Sequence, residues 1–312
     1  MKVAISTQDI SHLLTSVTWS GARSQAARKL QFEFVQDERA ETIPIVKVDN
    51  GMTVYGADDG GNIVFVGNIY ELERDRKKSK VKVTSYDNLF VLNRSKTTRK
   101  YTDALPEDIA REICGEMGVT AGKIASTGEK VSFIANAKTG YQIIQEAYTE
   151  AHKKNEKQYQ CIMNGAELDV IEKGSLIEGV LLDSLRNMTD SIYRESIEEI
   201  VNSVMVVDDA GNGTEYMSDE ESIRKYSMFR TVYKIDKQKD TADEVKNLMK
   251  KPEREGTVIA VPGDYRLKSG YSVAIKDGNF NGQFWIKSDN HTWRDGLYET
   301  KLILEFENVM DD

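Results

Sequence analysis

The chain has 312 residues, of which 39% are hydrophobic and 30% charged, with a formal net charge of −9. That length allows roughly two domains of ~150 residues with substantial cores, and the composition excludes a disordered chain. The acidic balance argues against sequence-specific nucleic-acid binding, which needs a basic surface, and no apolar run approaches the ~20 residues of a membrane helix.

Residues 1–100 read as strands. Leu30, Phe32 and Phe34 alternate with Gln31, Glu33 and Val35, the period of a half-buried strand. Residues 17–21 precede them, with a loop expected between. Ile63 to Leu72 and Lys80 to Tyr86 form the next hairpin, and pairs such as Asp59-Gly60 suit tight turns because glycine accepts positive φ.

The character changes at 101–175. Pro106-Glu107-Asp108 opens a helix with proline in the first turn and acids at the positive end of its dipole. Ile109, Ile113 and Met117 share one face, and Gly118 stops it. Thr139 and Gln142 form a capping box for a second helix, whose stripe is Ile143, Ile144, Ala147, Tyr148 and Ala151. A hairpin follows, turning at Asn164-Gly165. Residues 176–312 return to strands. Ser196 to Glu199 reads as a capped short helix, and Ser218 to Glu221 as another. Residues 229–235 read as a strand, and a helical insertion near 236–252 starts at Thr241 and ends before Pro252. The predicted fold class is α+β, mainly β: antiparallel β regions at 1–100 and 176–312, with an α/β module at 101–175 between them.

Those two β regions contain what reads as one unit used twice. The first runs from Gly51 through the Asp59-Gly60-Gly61 turn to Ile63–Ile69, then a charged turn, Val81-Lys82-Val83 and Asp87-Asn88-Leu89. The second runs from Gly270 through Asp277-Gly278 to Phe280 and Gly282–Ile286, then a polar turn, Leu302-Ile303-Leu304 and Glu307-Asn308-Val309. The expected matches are Ile63–Ile69 with Phe280–Ile286, Val81–Thr84 with Leu302–Glu305, and Gly67 with Gly282. A duplicated subunit offers two equivalent faces, so three copies would present six.

Catalytic chemistry is poorly represented. Cys114 and His152 have no specific spacing for a nucleophile and base, and both Cys114 and Cys161 read as small buried hydrophobes. His12, His152 and His291 form no metal-ligand pair. The Asp208–Gly213 stretch fails as a calcium loop because Ala210 takes a ligand position, which leaves a polar hairpin turn. No cofactor or metal is expected. Trp285 and Trp293 could form a sugar platform, although core or subunit packing is the commoner fate of such residues. Two cysteines far apart imply synthesis in a reducing cytoplasm, and residues 1–9 lack the apolar stretch of a signal peptide.

The string Pro262-Gly263-Asp264-Tyr265-Arg266-Leu267-Lys268-Ser269-Gly270, followed by Gly282–Ile286 and His291-Thr292-Trp293, resembles the end of the XkdQ/YqbQ family of phage tail proteins. Residues 193–199 and 202–204 resemble the start of the same region. That family is similar to the baseplate hubs of contractile-tailed phages and to the late control protein D group. The resemblance implies that the two β regions are tube-like antiparallel β-barrel domains. It also implies a non-enzymatic homotrimer that adapts a sixfold tail tube to a threefold spike, in a phage tail or a phage-tail-like bacteriocin. Its implied partners are the tail tube protein, the tape-measure protein and a spike or LysM-type baseplate protein. Its implied location is the tail baseplate of a virion or phage-like particle, with synthesis in the bacterial cytoplasm, release by lysis and no direct membrane insertion. Ile69, Leu72, Phe284, Trp285 and Trp293 are the expected interface residues. The competing readings are a peptidoglycan-degrading enzyme and a cell-wall-binding module. The end at Asp312, just after the second unit, leaves no room for a fused hydrolase.

Overall fold

The computed structural model describes residues 1–37, 39, 43–236, 240–278 and 281–307. The chain begins with β1 (Lys2–Ile5), β2 (Gln8–Asp9), β3 (Leu14–Ala22), β4 (Gln25–Val35), β5 (Thr53–Ala57), β6 (Ile63–Asp75) and β7 (Lys80–Asp87). Next come α1 (Leu89–Arg94), β8 (Lys96–Ala104), α2 (Pro106–Glu116), β9 (Thr120–Ile124), β10 (Val131–Thr139), α3 (Gly140–Asn155), β11 (Tyr159–Asn164) and β12 (Glu167–Glu172). The remainder comprises β13 (Leu176–Asp183), β14 (Met188–Ser196), β15 (Ser203–Val207), β16 (Gly213–Ser218), α4 (Glu220–Tyr226), β17 (Arg230–Lys234), α5 (Thr241–Leu248), β18 (Glu253–Ala260), β19 (Ser272–Lys276), β20 (Asn281–Arg294) and β21 (Leu297–Glu305).

Two compact units result: residues 1–192 with 256–312, and residues 193–255. In the larger unit one extended sheet has the order β14-β18-β21-β20-β3-β4-β7-β6-β5-β1-β2, with β19 pairing β20 and β13 pairing β19. Six strands of the N-terminal half are neighbours in the order β3-β4-β7-β6-β5-β1, and six of the C-terminal half in the order β14-β18-β21-β20-β19-β13. Taken one for one, these sets also follow each other in the same chain order. The duplication therefore reaches beyond the three-strand unit visible in the sequence.

The registers agree in detail. Thr53 faces Asn68, as Ser272 faces Trp285. One residue further on, Ile69 faces Ser85, as Ile286 faces Leu304. Each long strand then carries a bulge, at Tyr70 in β6 and at Lys287 in β20. The outer pairs coincide too, since Phe32 faces Val83 as Val258 faces Leu302. Alternate residues point inward in both copies, so Leu30, Phe32 and Phe34 form one core with Val54, Phe65 and Val83. Val258, Val273, Ile286, Leu302 and Leu304 form the other. Each such side chain contributes roughly 1.5–3 kcal/mol on burial.

Several sequence expectations change. Ile69 does align with Ile286, but Val83 rather than Val81 aligns with Leu302, a shift of two residues that keeps the same face inward. Gly67 faces Val54 and Gly282 faces Ile275, so these glycines are two positions out of step. The reasons for each differ: a Cβ at Gly67 would run into the Tyr86 carbonyl and the Phe65 ring, whereas Gly282 sits at φ +135°. Phe280, Asn308 and Val309 lie outside the described residues. Neither copy closes into a barrel among the described residues, because no pairing joins β3 to β1 or β2 in the first or β14 to β13 in the second. The sixth strands also differ, since β1 is antiparallel to β5 whereas β13 is parallel to β19. The expected loop before Leu30 is instead strand, with β3 and β4 meeting at a two-residue turn.

The α/β segment follows its sequence signals closely. Proline opens α2, and Gly118 takes φ +71° just past its end. The Thr139 side chain accepts from the Gln142 amide and the Gln142 side chain accepts from the Thr139 amide. Ile109, Ile113, Ile143, Ile144 and Ala147 close a core with Leu168 and Val170 of the β11–β12 hairpin. In the smaller unit, β15 lies between β16 and β17, and Val204 and Val206 pack with Val245 of α5. Asp219, rather than Ser218, caps α4. The segment after Ser196 is a turn, not a helix, closed by the Ile200 amide on the Ile197 carbonyl.

Candidate functional site

None of the sequence-level catalytic candidates assembles into a site. Cys114 and Cys161 lie inside the α/β core. Burial pushes the Cys114 thiol up to about 11 and the Cys161 thiol up to about 12. Neither is a thiolate at neutral pH, and the thiolate is the nucleophilic form. His152 turns Nδ1 toward the Lys157 carbonyl, 3.0 Å away at the end of α3. Asp208 directs Oδ1 inward, accepting from the Ala210 amide at 2.9 Å and the Asn212 amide at 2.8 Å. Asp58 does the same with the Asn62 amide at 2.8 Å. These carboxylates are engaged in building their turns. Among the described residues, no cluster of three or more metal-ligating side chains occurs. Replacing both cysteines with serine (Cys114→Ser, Cys161→Ser) should leave assembly intact and cost on the order of 1–2 kcal/mol at each site. Chemical denaturation with sizing of the variant checks this.

The chemistry of the larger unit is concentrated where the two copies join. β20 pairs with β3 from Ser288↔Ala22 to Arg294↔Ser16. Arg28 of β4, in the first copy, grips Asp289 of β20, in the second, through both guanidinium NH2 groups. Arg28 also lies over the Trp19 ring, 4.3 Å from its centroid. Asp289 accepts from the Ser269 amide at 2.6 Å, and His291 Nε2 stands 3.2 Å from Asp289 and 3.0 Å from the Leu267 carbonyl. On its other side His291 Nδ1 meets the Tyr298 and Thr300 hydroxyls at 2.9 and 3.1 Å. Nε2–H is therefore the donor and Nδ1 the acceptor. The Arg28 amide donates to Asp87 Oδ2 at 3.1 Å, and the Leu89 amide to Oδ1 at 3.1 Å.

This cluster sits almost wholly out of water, with Asp87, Asp289 and His291 at 1%, 2% and 0% exposure. Burial favours the neutral form of each group, and the neighbours decide the outcome. Burial would raise Asp289, but the Arg28 guanidinium and the His291 hydrogen bond hold it below the ordinary carboxylate range. Asp87 has only the Arg28 charge and two amides to oppose burial, and it rises to about 7. His291 is lowered by burial and stays neutral. Lys268 is lowered to about 8 by burial and by Arg28. The arrangement is a buried bidentate pair across the junction, and it fixes the register of one copy on the other.

The expected interface residues are dispersed. Ile69 and Phe284 are buried in the two cores. Leu72 and Trp293 are half-buried against the first core, and Trp285 is half-buried on β20. Trp293 stacks on Tyr298 and Tyr265, with ring centroids 4.3 and 5.3 Å away. Arg28 and Asp289 stand out in no sequence motif. Their signal was parity: Arg28 continues the inward series Leu30, Phe32, Phe34, where a charge needs a partner.

Comparison with known proteins agrees with this architecture. The chain is 22% identical over 315 residues to the uncharacterized protein YqbQ of Bacillus subtilis (strain 168), covering 95% of this chain and 93% of that one. It is 21% identical over 318 residues to the phage-like element PBSX protein XkdQ of the same organism, covering 95% and 94%. Among solved structures, it shares the fold of the 43 kDa tail protein of prophage MuSo2 from Shewanella oneidensis, with a TM-score of 0.74, 11% identity and 97% of each chain covered. The model of the YQBQ-like family matches residues 17–305, from within β3 to the end of β21, and the chain belongs to that family.

Proposed function

We propose that this protein is a structural component of a phage tail or phage-tail-like particle: a non-enzymatic baseplate hub, trimeric, that adapts a sixfold tail tube to a threefold spike. The observation that carries the reading is the repeated six-strand copy, equivalent in strand order, chain order and bulge position. A chain with two equivalent faces resolves the mismatch between six and three, because a closed ring of three such chains presents six. The names of its relatives, a phage-like element protein and a prophage tail protein, support a tail setting. On this reading the proposed neighbours are the tail tube protein, the tape-measure protein and a spike or LysM-type protein. The three domains at 1–100, 101–175 and 176–312 remain the proposed division of labour, with the β regions forming the ring. Leu72, Trp285 and Trp293 are proposed to serve contacts, with Ile69 and Phe284 supporting them from the core.

The test uses cells that carry the surrounding tail genes. A tagged chain should locate to one end of purified tails, at three copies per particle, and deletion of its gene should stop tails from assembling. Normal tails from the deletion strain would refute the proposal. Incubating the pure protein with labelled peptidoglycan is expected to release no soluble fragments, and sustained release would favour a wall-degrading enzyme.

A further inference from the structure

The two copies differ at one edge. In β20 the bulge at Lys287 marks a change of partner: residues 281–285 pair with β19, and residues 288–294 pair with β3 of the other copy. In β6 the bulge at Tyr70 marks the same point. Residues 63–68 pair with β5, but from Glu71 to Asp75 the sole strand neighbour among the described residues is β7. The stretch is not sealed. Residues 70, 71, 73 and 74 are exposed, and the nearby segment reaches it through the Gly51 amide on the Ile69 carbonyl and the Arg74 side chain on the Val48 carbonyl.

The strand that would fill this position exists in the chain. β3, which fills it for β20, has β14 as its counterpart in the second copy. β14 ends the sheet and has β18 as its one strand neighbour among the described residues. Thr189 and Asp190 are exposed, and Ile192 is 55% exposed. An exposed edge strand of this kind is a template for another strand. We infer that β14 of one copy of this chain adds to the 71–75 edge of β6 in the next copy, repeating between chains the junction that β3 makes with β20 within a chain. The inference rests on the hub reading and names its subunit interface. The contact is heterologous, so it closes a ring rather than a twofold dimer. Three chains would then have three internal and three intermolecular junctions of one kind.

The register follows from equivalence. Within the chain, His291 faces Trp19 and Trp19 faces Leu30. Leu30 faces Ser85, as Gly256 faces Leu304. The Val261 amide donates to the Asn187 carbonyl, and the Thr189 hydroxyl to the Ile259 carbonyl; counting on from these contacts brings Ile192 beside Gly256. Ile192 is thus the counterpart of Trp19, and Arg74 of His291. Arg74 of one copy should face Ile192 of the next.

Both native cysteines are buried, which leaves the surface clear for engineered thiols. A chain carrying Arg74→Cys with Ile192→Cys, oxidised under mild conditions, should run as a covalent trimer on a denaturing gel. Either single variant should stay at one chain, and the off-register pair Glu71→Cys with Ile192→Cys should cross-link at least tenfold less. Arg74→Pro, which removes an edge amide, and Ile192→Lys should shift the native mass from three chains to one with unchanged circular dichroism. A trimer that forms no Arg74–Ile192 cross-link and tolerates both edge variants overturns the edge pairing and leaves the hub reading intact. A chain that stays monomeric at high concentration and gives no cross-link overturns both.

Discussion

Asp289→Asn is expected to cost the folded protein about 3–5 kcal/mol, the usual penalty for breaking a buried ion pair from one side. The substitution leaves the Arg28 guanidinium, 7% exposed and clasped between β20 and the Trp19 ring, with an uncompensated charge. Arg28→Met alone should cost a similar amount, because it strands the carboxylate. Arg28→Met with Asp289→Leu should recover most of the loss, since both desolvation penalties vanish together. Urea denaturation of the unsubstituted chain, Arg28→Met, Asp289→Leu and the double variant gives the coupling energy of the cycle. A coupling below about 0.5 kcal/mol would mean that the pair is not the joint between the copies. The pH dependence adds a second readout. Asp289 titrates below its ordinary range when folded, so its contribution is present above the unfolded value of ~3.9 and is lost as pH falls through the lower folded value. Asp87 runs the other way. Its folded value is about 7, so its contribution is full below ~3.9 and is lost as pH rises toward and through about 7. Asp289→Asn should therefore flatten the acid limb of the stability profile and leave the loss between about pH 4 and 7, which belongs to Asp87.

Gly67→Val should destabilise at or beyond the ~1–3 kcal/mol typical of overpacking. At this position the new atoms meet backbone rather than a yielding side chain. Gly67 is buried between Val54 and Asp87, and a Cβ there runs into the Tyr86 carbonyl and the Phe65 ring. Relief would require separating β6 from β7, two residues from the Ile69↔Ser85 pair and at the Asp87 that holds the Arg28 amide. The damage should reach the junction, giving a broadened thermal transition as well as a lower midpoint. Gly115→Ala is the contrasting control. That glycine lies inside α2 with nothing within 4 Å of the added carbon, so the change should stabilise by roughly 0.5–1 kcal/mol. If the two variants melted alike, the glycine geometry assigned to β6 would be wrong.

Local chemistry was legible in the residues themselves. Thr139 with Gln142, Pro106, and Asn164-Gly165 each carry a hydrogen-bonding or φ requirement that few residues meet, so the helices and hairpin of the α/β segment could be read directly. The duplicated unit was visible for the same reason: its turns need glycine, and its strands alternate with period two. The rest depended on contacts across long sequence separations. The loop assigned before Leu30 hid Arg28, because its partner Asp289 lies 261 positions away and a charge on an inward face looks like a break in the pattern until that partner is in place. The register between copies was misjudged by two residues, since alternation preserves the face under such a shift and only interstrand hydrogen bonds distinguish the alternatives. Ile69 and Phe284 looked like surface anchors because hydrophobicity alone does not say which side of a sheet is covered. The sequence by itself determined the mainly β class, the repeat and the lack of a recognisable catalytic motif, all of which are properties of neighbouring residues. Only contacts between distant segments reveal that the copies share one continuous sheet through β3 and β20, that a buried ion pair locks them, and that among the described residues no strand covers the matching edge of β6, because strand pairing is a relation that no local pattern encodes.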